Sequence, residues 1–195
     1  WLIKSPPATR VTYADLFQKF LGINPHSAEG TDLETLARTR HKDLFQYLML
    51  KDKDDWLQVL STHSIEPHLG HDKPLFVYDY PADFYPLAKK KTDDPRFVES
   101  FDIYVAGLEM GTNYSEQNDP QALRDAWTRE KEKEKAGYPE AQVIDEDFLE
   151  SLEYGMPPTS GIGPGIDRWI MVMTNSPNIS DVILFPTLRP KRAKK

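Results

Sequence analysis

Apolar residues recur at helical spacing in the first third of the chain and closer to alternation in the middle. Leu16, Phe17 and Phe20 fall on one face of a stretch that predicts a helix over residues 13–21. Thr12 is placed to cap it, and Gly22 followed by Asn24-Pro25 ends it. Thr31-Asp32-Leu33-Glu34 opens a second short helix with Leu33 and Leu36 inward. Residues 44–50 and 56–60 are apolar on one side and are also predicted helical, while residues 1–10, with Pro6-Pro7, read as a linker. Up to His63 the pattern is that of a small helical unit with charged outer faces.

Beyond Glu66-Pro67 the periodicity changes. Residues 75–80, between Pro74 and Pro81, are rich in β-formers and predict a strand. The charged loop 87–95 follows, its lysines read as solvated surface. The clearest strand is predicted over 97–106, with Phe97, Phe101, Ile103 and Val105 on one face and Ser100, Asp102 and Tyr104 on the other. Gly107 turns the chain into a second extended run, 108–115, which makes an antiparallel pair. Asp119-Pro120 starts a helix with Leu123 and Trp127 inward and the mixed-charge run 129–135 as its solvated end. Asp145 caps another, with Phe148, Leu149 and Leu152 inward, stopped by Gly155 and Pro157-Pro158. Residues 159–165 form a glycine-rich extended segment. It feeds a helix expected to be buried, because Ile166, Trp169, Ile170 and Met173 recur at helical spacing. Residues 182–186 extend toward a basic tail.

Composition narrows the possibilities. A chain of 195 residues suits one domain with a sizeable core. No apolar run approaches a membrane span, so no membrane partner is expected. With no cysteine there are no disulfides or thiolate metal sites, which fits a cytoplasmic protein. A formal charge of −7 argues against a generally basic nucleic-acid surface, so any such contact must be local. Trp1-Leu-Ile is not a usual translation start, and the chain is expected to begin mid-protein.

The candidate chemistry lies in two stretches. Gly161, Gly163 and Gly165 alternate, so an extended segment would put three bare positions on one face, against which a flat ring could lie. Arg168, one turn into the following helix, would stand beside that face as a phosphate-binding cation. The plainer alternative is a glycine strand packed on its neighbour, with Arg168 in a structural ion pair. Asp102 and Glu109 flank the Gly107 turn and can approach across the strands, a pair suited to magnesium bridged to nucleotide phosphates; the alternative is two solvated acids. Glu116 follows Glu109 by seven residues, an odd spacing that sends them to opposite faces unless the strand bulges, with Gly111 the expected place. Thr112, Tyr114 and Glu116 would then share a face suited to an organic ammonium. The five histidines make no convincing zinc spacing, and Ser160 has no triad partner.

Together these segments resemble the class II aminoacyl-tRNA synthetases, within them the lysyl branch. Gly161-Ile-Gly-Pro-Gly-Ile-Asp-Arg168, followed by Asn178-Ile-Ser-Asp-Val-Ile-Leu-Phe-Pro-Thr-Leu-Arg-Pro190, is similar to the family's third signature motif running into the chain end. Gly107-Leu-Glu-Met-Gly-Thr-Asn-Tyr-Ser-Glu-Gln-Asn-Asp-Pro120 is similar to its amino-acid-binding strand, and Pro86-Leu-Ala88 and Tyr154-Gly-Met-Pro-Pro158 also match. The resemblance covers about residues 72–190. The stretch Val11–Leu36 looks more like the insertion in the paralogue that lysylates elongation factor P.

The resemblance implies an α+β fold: an antiparallel sheet flanked by helices, as an incomplete class II catalytic core, with an N-terminal helical insertion. The implied division is a linker and small helical insertion over 1–71, the C-terminal part of the catalytic domain over 72–190, and a basic tail over 191–195. The implied activity joins lysine to ATP and passes the lysyl group to tRNA, in a parent enzyme that is a homodimer. By position, Arg168 would contact the ATP phosphates as the catalytic cation. Gly161, Gly163, Gly165 and Asp167 would border the nucleotide, Asp102 and Glu109 would hold Mg2+, and Thr112, Tyr114 and Glu116 would line the amino-acid pocket, Glu116 on the lysine side-chain ammonium. The family generally has Asn at Thr112, a small residue at Asn113 and Glu at Asp102, and Pro164 removes a backbone donor. The family's first and second motifs are not found. The competing readings are a ligase that places lysine on a protein and a synthetase-like remnant that binds without catalysis.

Overall fold

The computed structural model describes residues 7–44, 50, 52–135 and 144–186. Five strands make one sheet in the order β1 (Thr9–Thr12), β2 (Leu75–Tyr78), β3 (Ser100–Val105), β4 (Leu108–Ser115) and β5 (Ser160–Pro164). The last three pairings are antiparallel, as expected, and β1 runs parallel to β2, so the sheet is mixed at its edge. Thr9 and Arg10, read as linker, belong to it. Parallel neighbours need a long crossover, and residues 13–74 supply one. The helical unit is therefore what links the edge strand to the second strand.

That crossover holds α1 (Tyr13–Leu21), α2 (Gly30–Arg40) and α3 (Lys53–Leu60). Thr12 caps α1 by accepting from the Asp15 amide at 3.0 Å, and Gly22 ends it in the left-handed region at φ 72°. Asp52 and Asp55 form a reciprocal capping box at the start of α3. The chain then widens into a π turn, Ser61–Ile65, and a 3-10 turn, Glu66–His68, which place Glu66 under the sheet. The helix read over 44–50 falls largely outside the described residues. Tyr13, Phe17, Leu33, Leu57, Leu60 and Ile65 pack with Val77, Val98 and Tyr104 in one core, so crossover and sheet are stabilised together. Each such side chain contributes roughly 1.5–3 kcal/mol by leaving water.

Because the crossover covers the Asp102 face, burial along β3 reverses what apolarity suggests. Ser100, Asp102 and Tyr104 are buried, while Phe101 and Ile103 are only half-buried on the other side. There Phe101 meets Phe76 at a ring distance of 5.4 Å.

A smaller core joins α4 (Pro120–Lys135) to α5 (Glu146–Glu153) through Leu123, Trp127, Leu149 and Leu152. Asp119 and Asp145 cap the two helices, and Arg124 forks onto Glu146 at 2.7 and 2.6 Å. Phe148, expected inside, is 46% exposed and only approaches the Trp127 ring. The final helix, α6 (Ile166–Thr174), also departs from expectation. Only Met171 is buried, and Ile166 and Met173 are exposed, because α6 packs mainly on β4 and on the short turn Ile179–Asp181.

Candidate active site

The site is set by a one-residue bulge in β4. Ile103 pairs with Gly111 but Tyr104 pairs with Glu109, leaving Met110 as the extra residue, one position before the expected Gly111. The bulge brings Glu109 to the same face as Asp102 and Thr112, which straight-strand parity forbids. Gly111 beside it allows a close approach of β5, because a Cβ there would stand 3.0 Å from the Gly163 carbonyl.

Across the next ladder Thr112 lies opposite Gly163, and Tyr114 opposite Gly161. One face thus carries Asp102, Glu109, Thr112 and Tyr114, bordered by two glycines. Gly163 has open space above it. Gly161 does not: its missing side chain makes room for Glu116, whose Oε1 would be 2.5 Å from a Cβ there. Glu116 donates its own amide to the Thr159 carbonyl at 2.9 Å and bridges Ala88, fixing its backbone between two segments. The structure therefore brings Thr112, Tyr114 and Glu116 together and sets Gly161 under the last of them.

Arg168 lies at the other end of the glycine strand. Its stem passes over Gly165, and its Nη1 donates to the Glu109 carbonyl at 2.7 Å while standing 3.6 Å from the Glu109 carboxylate. Both side chains are substantially exposed, so the pair itself adds at most about 1 kcal/mol. The guanidinium is thereby tied to the start of β4, beside the Met110 bulge. Asp167 is exposed in the first turn of α6, where its charge suits the helix dipole.

Asp102 is the buried centre, 2% exposed. Tyr85 donates to its Oδ2 at 2.7 Å, while Oδ1 has no hydrogen-bond partner among the described residues. Burial pushes its pKa up, against the hydroxyls of Tyr85, Tyr80 and Thr112. Glu109 is raised first by burial and then by Asp102, against Arg168 and Thr112. Such a carboxylate pair, one with an orphaned buried oxygen, fits a divalent cation completed by substrate oxygens; no set of three ligating side chains converges among the described residues. Tyr80, Tyr85 and Glu66 also belong to this neighbourhood and were not singled out by sequence. The available signal was the aromatic density around Pro81 and Pro86.

The family model for class II tRNA synthetases (D, K and N) matches residues 3–189. The chain belongs to that family. It is 39% identical over 190 residues to a lysine–tRNA ligase of Moorella thermoacetica, covering 96% of this chain and 37% of the relative. It is 41% identical over 188 residues to that of Clostridium acetobutylicum, covering 95% and 36%. A lysine–tRNA ligase of Lactiplantibacillus plantarum is 49% identical over 123 residues, 63% of this chain and 25% of the relative. This class II synthetase chain thus spans a little over a third of the length of the first two. No helix among its described residues is long and apolar enough to cross a membrane.

Proposed function

We propose that this chain is the C-terminal part of the catalytic domain of a lysine–tRNA ligase, which joins lysine to ATP and transfers the lysyl group to tRNA. The observation that carries this is the single face made by the bulge: Thr112, Tyr114 and Glu116 gathered beside a bare glycine strip that ends at Arg168. Glu116 pairs with the side-chain ammonium, Tyr114 walls the pocket, and Thr112 holds the substrate with a hydroxyl. Adenosine lies along Gly163 and Gly165, with Gly161 and Asp167 bordering it, and Arg168 turns to the phosphates. Asp102 and Glu109 would hold Mg2+, which supplies charge neutralisation at the phosphates. The chain's own contribution is positioning and charge stabilisation, which needs no dedicated base.

In this reading residues 72–190 are the catalytic part, and the crossover helices are the insertion. The exposed Ile162, Ile166, Met173, Leu184 and Phe185 support a surface covered in the parent enzyme, as a homodimer or by its own upstream sequence. A protein acceptor in place of tRNA remains the second reading, favoured by the likeness of residues 11–36 to the paralogue's insertion. The test is lysine-dependent ATP–pyrophosphate exchange by the full-length parent protein, wild type and Glu116→Gln, with lysine and with norleucine as the uncharged isostere. A charge-assisted bond contributes about 1.5–3 kcal/mol, so the variant should lose roughly ten- to a hundredfold in preference for lysine, with ATP KM little changed. Equal loss for both amino acids, or for neither, overturns the assignment.

A further inference from the structure

A cavity of about 560 Å³ opens between the crossover and the sheet, on the face that carries Asp102 and Glu109. Its volume is within the usual range for organic ligands. Glu66 comes from the turn after α3, Asp83 from the loop after β2, and Asp102 and Glu109 from the sheet; the rings of Tyr13 and Phe84 complete the wall. No Lys, Arg or His is among the described residues that line it. Two polar atoms on nearly fully buried side chains that line the cavity have no hydrogen-bond partner among the described residues: Asp102 Oδ1 and Tyr13 Oη, on residues 2% and 1% exposed. Leaving such groups unpaired is costly, and that cost favours a ligand that reaches them.

A single metal ion does not account for the cavity as a whole, since no three acidic side chains converge on one point among the described residues. Carboxylates spread along a cleft with aromatic rings between them suit cations separated by methylene chains. The ammonium groups meet acids, and the chain lies on rings that also favour positive charge. We propose that this cavity binds a linear aliphatic polyamine, with ammonium groups on Glu66, Asp83 and the free oxygen of Asp102. Glu66 is held for this by Ser61 and Thr62, whose hydroxyls donate to its Oε1 at 3.1 and 3.2 Å. The cavity is lined by both members of the pair proposed for Mg2+, Asp102 and Glu109, so polyamine and Mg2+ compete there, while Asp83 lies outside that pair. The inference does not rest on the amino-acid reading, because Thr112, Tyr114 and Glu116 do not line this cavity.

The test is calorimetric titration of the intact chain with spermidine, with butylamine and with MgCl2, all at one ionic strength. Spermidine should bind at least tenfold more tightly than butylamine. Glu66→Gln and Asp83→Asn should each weaken spermidine about tenfold, since each removes one charge-assisted contact, and Asp83→Asn should leave Mg2+ affinity within about twofold. Asp83 is exposed, so its variant keeps the fold even if Glu66→Gln does not, and thermal melts check both. Spermidine binding no tighter than butylamine, or unaffected by Asp83→Asn, overturns the proposal. So does displacement of spermidine by saturating lysine, which would put the cation in the amino-acid pocket.

Discussion

Gly161 lies so close beneath Glu116 that a Cβ there would stand 2.5 Å from the carboxylate Oε1. The atom it meets is the far end of a flexible side chain, so Gly161→Ala should fold, with Tm within a few degrees of wild type, but with Glu116 swung from its place. Lysine KM in the full-length parent should rise about tenfold. Gly163→Ala meets nothing within 4 Å, so it should leave lysine KM alone and raise ATP KM by placing a methyl on the bare strip. Exchange kinetics with each substrate varied in turn separate the two. Identical profiles for both variants would show that the strip is not divided between amino acid and nucleotide.

Arg168 separates a phosphate-binding cation from a structural ion pair. Its bond to the Glu109 carbonyl and its approach to the carboxylate are exposed, so Arg168→Ala should cost no more than about 1 kcal/mol of stability. Activity should fall far more, about a hundredfold in kcat/KM for ATP, because the lost charge acts where phosphate charge must be met. A drop in Tm with unchanged ATP kinetics would assign Arg168 to the fold.

Gly70 is a stricter constraint. At φ +71° its Cβ would run into the Tyr104 carbonyl and stand 2.8 Å from Val105 Cα, and neither atom can swing aside. Gly70→Ala should destabilise by more than about 3 kcal/mol. Gly22 has nearly the same φ, +72°, with nothing within 4 Å, so Gly22→Ala should cost only about 1 kcal/mol. Urea denaturation midpoints measure both. Similar losses at the two positions would mean that the backbone angle, not the contact, sets the cost.

These contrasts also mark what could be read in advance. Caps such as Thr12 and Asp145 were legible because a cap is decided within a few residues. The β4 bulge was legible because the odd spacing of Glu109 and Glu116 admits one face only with an extra residue. Strand β1 was not: its four residues have no strong pattern, and their partner lies beyond the whole crossover. Nor was the Tyr85 bond to Asp102, 17 residues apart and dependent on how the loop after β2 folds back. For α6, periodicity identified which side was apolar but not whether this chain would cover it.

His26 gives the fold a pH dependence of definite sign. Its Nε2 is buried without a hydrogen-bond partner among the described residues, and its ring stands edge-on to Phe97 at 4.8 Å. Burial lowers its pKa first, then the charges of Lys53 and Arg96, against Asp79 and Asp94. A histidine lowered in the folded state takes up its proton more readily when unfolded, so below about pH 6.5 the unfolded chain binds more protons than the folded one. Its contribution is therefore full above that pH and is lost as pH falls toward the folded value. His41 has the same sign, whereas the raised Glu66, Asp102 and Glu109 work the other way. The net slope alone is thus uninformative, and the difference between wild type and His26→Gln is the quantity to measure. Between about pH 7.5 and 5.5 the wild type should lose more stability than the variant, whose side chain does not titrate. Urea midpoints across that range give the difference directly. Parallel profiles, or a steeper fall in the variant, would place the histidine outside the acid response of the fold.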